Sequence, residues 1–146
     1  MGVCIVRIIV DGDACPSIIL IEYFAIKNNL ELIIFCDFSH NISSECGKVI
    51  KTDSSYQSVD IKIMNYVKEN DIVITNDYGL AAICLNKKCY TVSFSGLEYT
   101  KDNIDKLLES RHLNLKNKYK NSIKKRTEID DINLMNCLDR IKGGNI

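Results

Sequence analysis

The fold is decided by one stretch of sequence, CIVRIIVDGDACP at residues 4–16. Its first seven residues contain one charged side chain, Arg7, and are otherwise apolar and rich in Val and Ile, which predicts a strand buried on both faces. The strand ends at Asp11-Gly12-Asp13, and Pro16 is suited to the first turn of a following helix because its missing N–H has no partner there. The stretch therefore predicts a buried first strand that leads directly into a helix.

The same alternation of strand and helix continues along the chain. Apolar runs predict further strands at LELIIFC (30–36), KVIKT (48–52), DIVIT (71–75) and CYTVSF (89–94). Helical periodicity is found at about 17–28, 57–69, 77–87, 101–108 and 129–141. Alternating strands and helices are typical of parallel sheets with right-handed crossovers. We expect a three-layer α/β/α sandwich with a mainly parallel central sheet and a helical C-terminal extension.

Length and composition set limits on the protein class. A chain of 146 residues with 46% hydrophobic residues predicts one domain, with an α/β core at 1–110 and a basic segment and C-terminal helix at 111–146. Lys+Arg and Asp+Glu are 19 each, so net charge gives no general case for a nucleic-acid or membrane partner. No apolar run approaches the ~18 residues of a membrane span. We expect a cytoplasmic protein without a membrane partner.

Four acidic residues are candidates for chemistry, because sites in open parallel sheets form at the carboxyl ends of strands. Asp11 and Asp13 follow the first strand, Asp77 follows DIVIT, and Asp60 begins the helix that precedes DIVIT. Carboxylates that converge on one edge repel each other, and a divalent cation with oxygen ligands relieves that repulsion. Mg²⁺ or Mn²⁺ is the predicted cofactor, and hydrolysis of a phosphodiester is the chemistry that it suits.

Simpler roles are open for several of these residues. Asp13, Asp60 and Asp77 each precede a helical window, so each could merely cap a helix, and Asp71, at the opposite end of DIVIT, suits a turn. Cys15 is placed near a helix N-terminus, where the helix dipole and the neighbouring carboxylates have opposite effects on a thiol pKa. Packing is the favoured role for Cys15, and a redox or helix N-terminal thiol is the alternative.

A basic segment supplies the main charge asymmetry. Residues 111–126 contain no acidic side chain, and Lys116, Lys120 and Lys124 recur every four residues. If this segment is helical, the three lysines line one face that could bind phosphates, although a solvated helix face is an equal alternative. Thr75 and Asn76 could orient water or phosphate by hydrogen bonds. These features make RNA a candidate partner.

Several motifs carry a resemblance to a known family. VRIIVDGDACP (6–16), NDIVITNDYGLAA (70–82), SGLEYTKDNIDKLL (95–108) and EIDDINLMNCLDR (128–140) resemble the YaiI/YqxD family of uncharacterised bacterial proteins. That family is regarded as similar to PIN-like domains, which are metal-dependent ribonucleases with acidic residues at strand ends. The resemblance implies that Asp11, Asp60 and Asp77 match PIN acids, with Asp13 as the candidate for a further one.

Three functions remain as hypotheses. The first is a PIN-like, Mg²⁺- or Mn²⁺-dependent ribonuclease that uses the four aspartates. The second is a haloacid-dehalogenase-like phosphatase with Asp11 as nucleophile and Asp13 as acid/base, which the helix predicted after the first strand disfavours because that class has a flap there. The third is a non-catalytic module that binds RNA or protein. The apolar helix ILIEYFAI (19–26) is consistent with an interface, such as that of a homo-oligomer, and equally with core packing.

Overall fold

Six strands form one sheet in the computed structural model, which describes residues 6–13, 15–37, 42–52, 58–116 and 125–145. The strands are β1 (Arg7–Asp11), β2 (Glu31–Asp37), β3 (Lys48–Thr52), β4 (Ile72–Ile74), β5 (Tyr90–Val92) and β6 (Glu98–Tyr99). Their order is β3-β2-β1-β4-β5-β6, and every neighbouring pair is parallel except β5 and β6. The predicted mainly parallel sheet is confirmed, and the two-residue β6 is an element that the sequence did not predict.

Helices cover both faces of the sheet. Their bounds are α1 (Ile18–Asn28), α2 (Ser58–Tyr66), α3 (Tyr78–Asn86), α4 (Lys101–Lys116) and α5 (Glu128–Asn145). One apolar cluster joins α1 and α5 to the sheet face that carries Ile8 and Val10, and a second joins α2 and α3 to the face that carries Ile9. A third, smaller cluster packs α4 against α3. The α/β/α layering is therefore confirmed.

The C-terminal region differs from the expectation in two respects. The helix at 101–108 continues to Lys116, so the first residues of the basic segment are helical. Helix α5 was expected in an extension, yet Leu134, Cys137 and Leu138 of this helix are buried in the cluster that includes β1 and β4. The helix therefore completes the core on one face of the sheet.

Helix α1 has a buried face and an exposed apolar face. Ile21 and Phe24 are fully buried, which core packing explains. Ile19, Tyr23 and Ile26 point outward and are 82%, 58% and 66% exposed. The predicted interface thus involves only half of the helix, and self-association stays a prediction. Among the helices in the described part of the chain, none has the length and apolar character needed to span a membrane.

Gly12 is required by close approach of the chain to β2. Its N–H donates to the Phe35 carbonyl oxygen at 2.7 Å, and a Cβ at this position would lie 2.7 Å from Ile34 Cγ2 and 2.9 Å from the Phe35 oxygen. A larger residue would separate the end of β1 from β2. The glycine therefore fixes where the two flanking aspartates lie.

Candidate functional site

The carboxyl ends of β1 and β4 are adjacent because these strands pair in the middle of the sheet. The chain leaves β1 toward β2 on one side and leaves β4 toward β5 on the other, so the strand order reverses between them. Side chains that follow the two strands meet at this switch point, where open α/β sheets commonly bind ligands.

Thr75 connects the acidic residues of the two strands. Its hydroxyl donates to Asp11 Oδ2 at 2.9 Å and accepts a hydrogen bond from the Asp77 N–H at 3.0 Å. Thr75 is completely buried, and its carbonyl oxygen accepts from the Tyr99 hydroxyl at 3.1 Å. The Thr75 side chain therefore orients Asp11, and its predicted role in orienting water or phosphate stays a prediction.

Asp11 lies where ionisation is costly. Burial raises the pKa of its carboxyl, and the nearby charges of Asp13 and Asp77 raise it further. Hydrogen bonds from the Thr75 hydroxyl and the Asp13 backbone act in the opposite direction and lower the pKa. Asp11 is thus held in a defined orientation close to two other carboxyls.

Asp60 is an acidic residue with a strongly raised pKa. It belongs to the first turn of α2. Its pKa is raised to about 6, first by burial, then by the charge of Asp77 and a side-chain hydrogen bond with it, and then by the charges of Asp11 and Asp13. The α2 aspartate predicted from sequence therefore does converge on the two strand ends.

Asp77 has two roles. Its Oδ1 accepts hydrogen bonds from Gly79 N–H at 2.9 Å and Leu80 N–H at 3.2 Å, so the helix-capping role is confirmed. The same side chain contacts Asp60 and affects Asp11. Capping therefore fixes the orientation of a carboxylate that also belongs to the cluster.

Asp13 is hydrogen-bonded to Asp37, an acidic residue that was not predicted to lie at the site. Asp13 Oδ1 accepts from the Asp37 N–H at 2.7 Å, which places the end of β2 beside the end of β1. Asp37 directly follows the apolar run of its strand, so the strand-end rule applied to β1 and β4 could have identified it. We define the acidic edge as Asp11, Asp13, Asp60 and Asp77, with Asp37 next to it.

The fit of a metal can be tested on the donor set. The acidic edge offers carboxylate oxygens, which are the ligands of Mg²⁺ and Mn²⁺. Within the described ranges, no three or more His, Cys, Asp or Glu side chains form a ready-made metal group. Mg²⁺ commonly takes only one or two carboxylates and keeps several waters. The chemistry of the edge therefore fits such an ion without a preformed cage.

The remaining predicted site residues fall into separate places. Asn76 Oδ1 accepts from the Phe94 N–H at 2.8 Å. Cys15 packs against the core, and burial raises its pKa to about 11, which favours packing over thiol chemistry. Lys116 is the last residue of α4, whereas Lys120 and Lys124 lie outside the described residues. Whether the three lysines face the acidic edge stays a prediction.

Asp71 shows the structural alternative at the other end of β4. Its Oδ2 accepts from the Lys68 N–H at 2.7 Å, so the predicted turn role is confirmed. Arg7 also donates to both carboxylate oxygens of Asp71, at 3.0 and 2.6 Å. This aspartate is therefore held in a bidentate ion pair away from the acidic edge.

Comparison with known proteins gives the family. A sequence model described as "Uncharacterized BCR, YaiI/YqxD family" matches residues 9–142. The chain is similar to the UPF0178 protein of Clostridium novyi, with 48% identity over 134 residues that cover 89% of this chain and 90% of that protein. It is also similar to the UPF0178 protein of Clostridium perfringens, with 40% identity over 144 residues that cover 93% and 97% of the two chains.

A solved structure, Rae1 (YacP) from Bacillus subtilis, superposes on 94% of this chain and 99% of its own with a TM-score of 0.49 and 13% identity. A similarity of this size carries no activity over to this chain. The sequence relationships, in contrast, extend over nearly the whole length. The chain therefore belongs to the YaiI/YqxD family.

Proposed function

We propose that this protein is a divalent-metal-dependent ribonuclease that hydrolyses phosphodiesters at the acidic edge. The observation that carries the proposal is the convergence of Asp11, Asp13, Asp60 and Asp77 at the switch point between β1 and β4, where burial and mutual repulsion raise the pKa of Asp60 to about 6. Carboxyls crowded in this way are costly for folding, so their presence at the switch point of the sheet supports a chemical role.

The acidic edge would hold Mg²⁺ or Mn²⁺ through one or two of its carboxylates, with water completing the coordination. When bound, such an ion supplies positive charge to the phosphoryl oxygens and lowers the pKa of an attacking water. The residues of the chain provide the orientation. Thr75 and the Asp13 backbone hold Asp11, and the first turn of α3 holds Asp77 through its N–H groups.

The pKa of Asp60, raised to about 6 by burial and by the neighbouring carboxyls, keeps this carboxyl protonated in acidic solution. As the pH rises through this pKa, Asp60 becomes a carboxylate, which attracts cations. The edge is therefore expected to bind metal better in neutral than in acidic solution.

The experiment is cleavage of end-labelled RNA, single-stranded and structured, in Mg²⁺ or Mn²⁺. We expect products from the wild type and from Asp139→Asn, an exposed α5 aspartate that serves as the matched control. Asp11→Asn should reduce the rate by at least about 100-fold, since it removes a carboxylate that stabilises the transition state through the ion.

Other outcomes would replace the proposal. Equal cleavage by Asp11→Asn and wild type would assign the activity to a contaminant. Hydrolysis of a phosphate monoester but not of RNA would favour the phosphatase hypothesis, although α1 begins directly after the turn that follows β1. RNA binding without cleavage would favour a non-catalytic binding module.

A further inference from the structure

We infer that a cavity beside the acidic edge binds a backbone phosphate of the nucleic-acid strand, next to the phosphodiester that is cut. This inference rests on the proposed function and names a substrate contact for it. The cavity has a volume of about 310 Å³ and is lined by Pro16, Asn76, Phe94, Ser95, Lys125, Arg126 and Asp130.

The cavity and the acidic edge share the same end of the sheet. Asn76 lies in the chain between Thr75, which holds Asp11, and Asp77. Phe94 and Ser95 follow β5, the next strand along the sheet. A strand of nucleic acid that crosses the carboxyl ends of β1, β4 and β5 would meet the acidic edge and then the cavity.

Cys15 gives an independent sign that the two places are close. The positive charge of Arg126 lowers the pKa of this thiol, and the negative charge of Asp11 raises it. Cys15 is thus close enough to Arg126 in the cavity wall and to Asp11 in the acidic edge to be affected by both charges. The cavity and the acidic edge are therefore neighbours at the carboxyl ends of the strands.

The cavity wall is rich in hydrogen-bond donors. Asn76 uses its Oδ1 to accept from the Phe94 N–H, so its side-chain NH₂ group is left to donate. Lys125 is exposed and forms no ion pair with another residue in the described ranges. The one acid of the wall, Asp130, accepts from the Thr127 N–H through Oδ2 at 2.9 Å.

Arg126 is a fixed part of the wall. Its Nη1 donates to the Phe94 carbonyl oxygen at 2.7 Å, and its Nε donates to Asp131 Oδ1 at 2.9 Å. The guanidinium therefore holds the start of α5 against the loop after β5, and the neighbouring Lys125 lines the same cavity as Asn76. A wall that carries a lysine cation, the Asn76 amide and the apolar side chains of Phe94 and Pro16 matches a phosphate joined to a sugar.

The experiment measures binding of a fluorescein-labelled single-stranded RNA of ten nucleotides by fluorescence anisotropy, in EDTA and at several salt concentrations. We compare the wild type, Lys125→Gln and the matched control Lys27→Gln. Lys27 is an exposed lysine in the last turn of α1, which ends just before the amino end of β2. Both variants remove one charge, so a general loss of positive charge affects them equally.

We expect Lys125→Gln to bind about fivefold more weakly and its slope of log K against log salt to fall by about 0.7, the value for one lost phosphate contact on a single strand. Lys27→Gln should match the wild type. In ¹⁵N NMR spectra, the side-chain NH₂ signals of Asn76 should shift when the RNA is added.

Two results would overturn the inference. One is an affinity and salt slope in Lys125→Gln equal to those of the wild type, and the other is the absence of RNA binding by the wild type. Displacement of RNA by millimolar inorganic phosphate, with the same shift of the Asn76 signals, would assign the cavity to free phosphate and overturn the strand contact.

The outcome is separable from that of the proposed function, because binding is measured without metal and cleavage with it. Cleavage by the wild type together with unchanged binding by Lys125→Gln would remove the cavity contact and leave the ribonuclease. Binding that depends on Lys125 without any cleavage would remove the ribonuclease and leave the cavity.

Discussion

The two ends of strand β4 carry aspartates in contrasting surroundings. At the amino end, Asp71 is 3% exposed and receives both a bidentate ion pair from Arg7 and a backbone hydrogen bond. At the carboxyl end, Asp77 contacts the carboxyl of Asp60, whose pKa is raised by burial and by three other carboxyls. The fold thus neutralises the charge of Asp71 with an arginine. At the carboxyl end of β4, in contrast, several carboxyls repel one another, and a bound cation can relieve that repulsion.

The largest change in stability is expected for Asp71, at the amino end of β4. Asp71→Asn leaves Arg7, whose side chain is 14% exposed, without its counterion. We expect the free energy of unfolding to fall by about 3 kcal/mol in urea denaturation, as for other broken ion pairs in low-exposure sites. The double variant Arg7→Met, Asp71→Leu should recover part of this loss. A change below about 0.5 kcal/mol in Asp71→Asn would mean that the ion pair is not structural.

Variants of Thr75 test the hydrogen bonds that connect the carboxyl ends of β1 and β4. Thr75→Val removes the hydroxyl that donates to Asp11 and accepts from the Asp77 N–H. We expect a loss of about 1–2 kcal/mol in unfolding free energy and a higher Asp11 pKa in a ¹³C-carboxyl NMR titration. Thr75→Ser keeps the hydroxyl and should restore the wild-type pKa. Equal Asp11 titrations in Thr75→Val and Thr75→Ser would show that the hydroxyl does not hold the carboxylate.

The smallest of these effects is the pH dependence at the carboxyl end. The pKa of Asp60 is raised to about 6 in the folded protein, so its contribution to stability is complete below its ordinary pKa of 3.8 and is lost as the pH rises through 6. Asp60→Asn cannot ionise and should be more stable than wild type by about 1 kcal/mol at pH 8, after allowance for solvent screening. Near pH 4 the difference should disappear.

Thermal unfolding between pH 4 and 8 measures this difference. Asp139→Asn, at an exposed position of α5, is the control for the removal of one carboxylate. An Asp60→Asn variant that is less stable than wild type at pH 8 would contradict the account, because it would mean that the ionised carboxyl is compensated within the protein.

Much of the fold could be predicted because its signals are local. Five of the six strands are apolar runs, and the positions of Asp11, Asp60 and Asp77 follow from the rule that sites form at strand ends. Strand β6 has two residues, which is too short for any periodicity to appear. Asp37 ends a buried strand and was missed because the strand-end rule was applied only to β1 and β4.

The rest depends on contacts between distant parts of the chain. Thr75 is 64 residues from Asp11, and its hydroxyl could not be assigned to a carboxylate without the pairing of β1 with β4. Arg126 donates to Phe94, 32 residues away, so its place in the cavity wall follows only from the packing of α5. The exposed half of α1 was also not separable from its buried half, because both are apolar in sequence.

The central claim, that the carboxyl end of the sheet holds a divalent ion, is tested most directly by calorimetric titration of metal-free protein with Mn²⁺ at neutral pH. The account predicts binding by the wild type and by Asp139→Asn, competition by excess Mg²⁺, and loss of binding in Asp11→Asn. Absence of heat and of any thermal shift with millimolar Mn²⁺ in folded wild-type protein would contradict it, as would undiminished binding in Asp11→Asn.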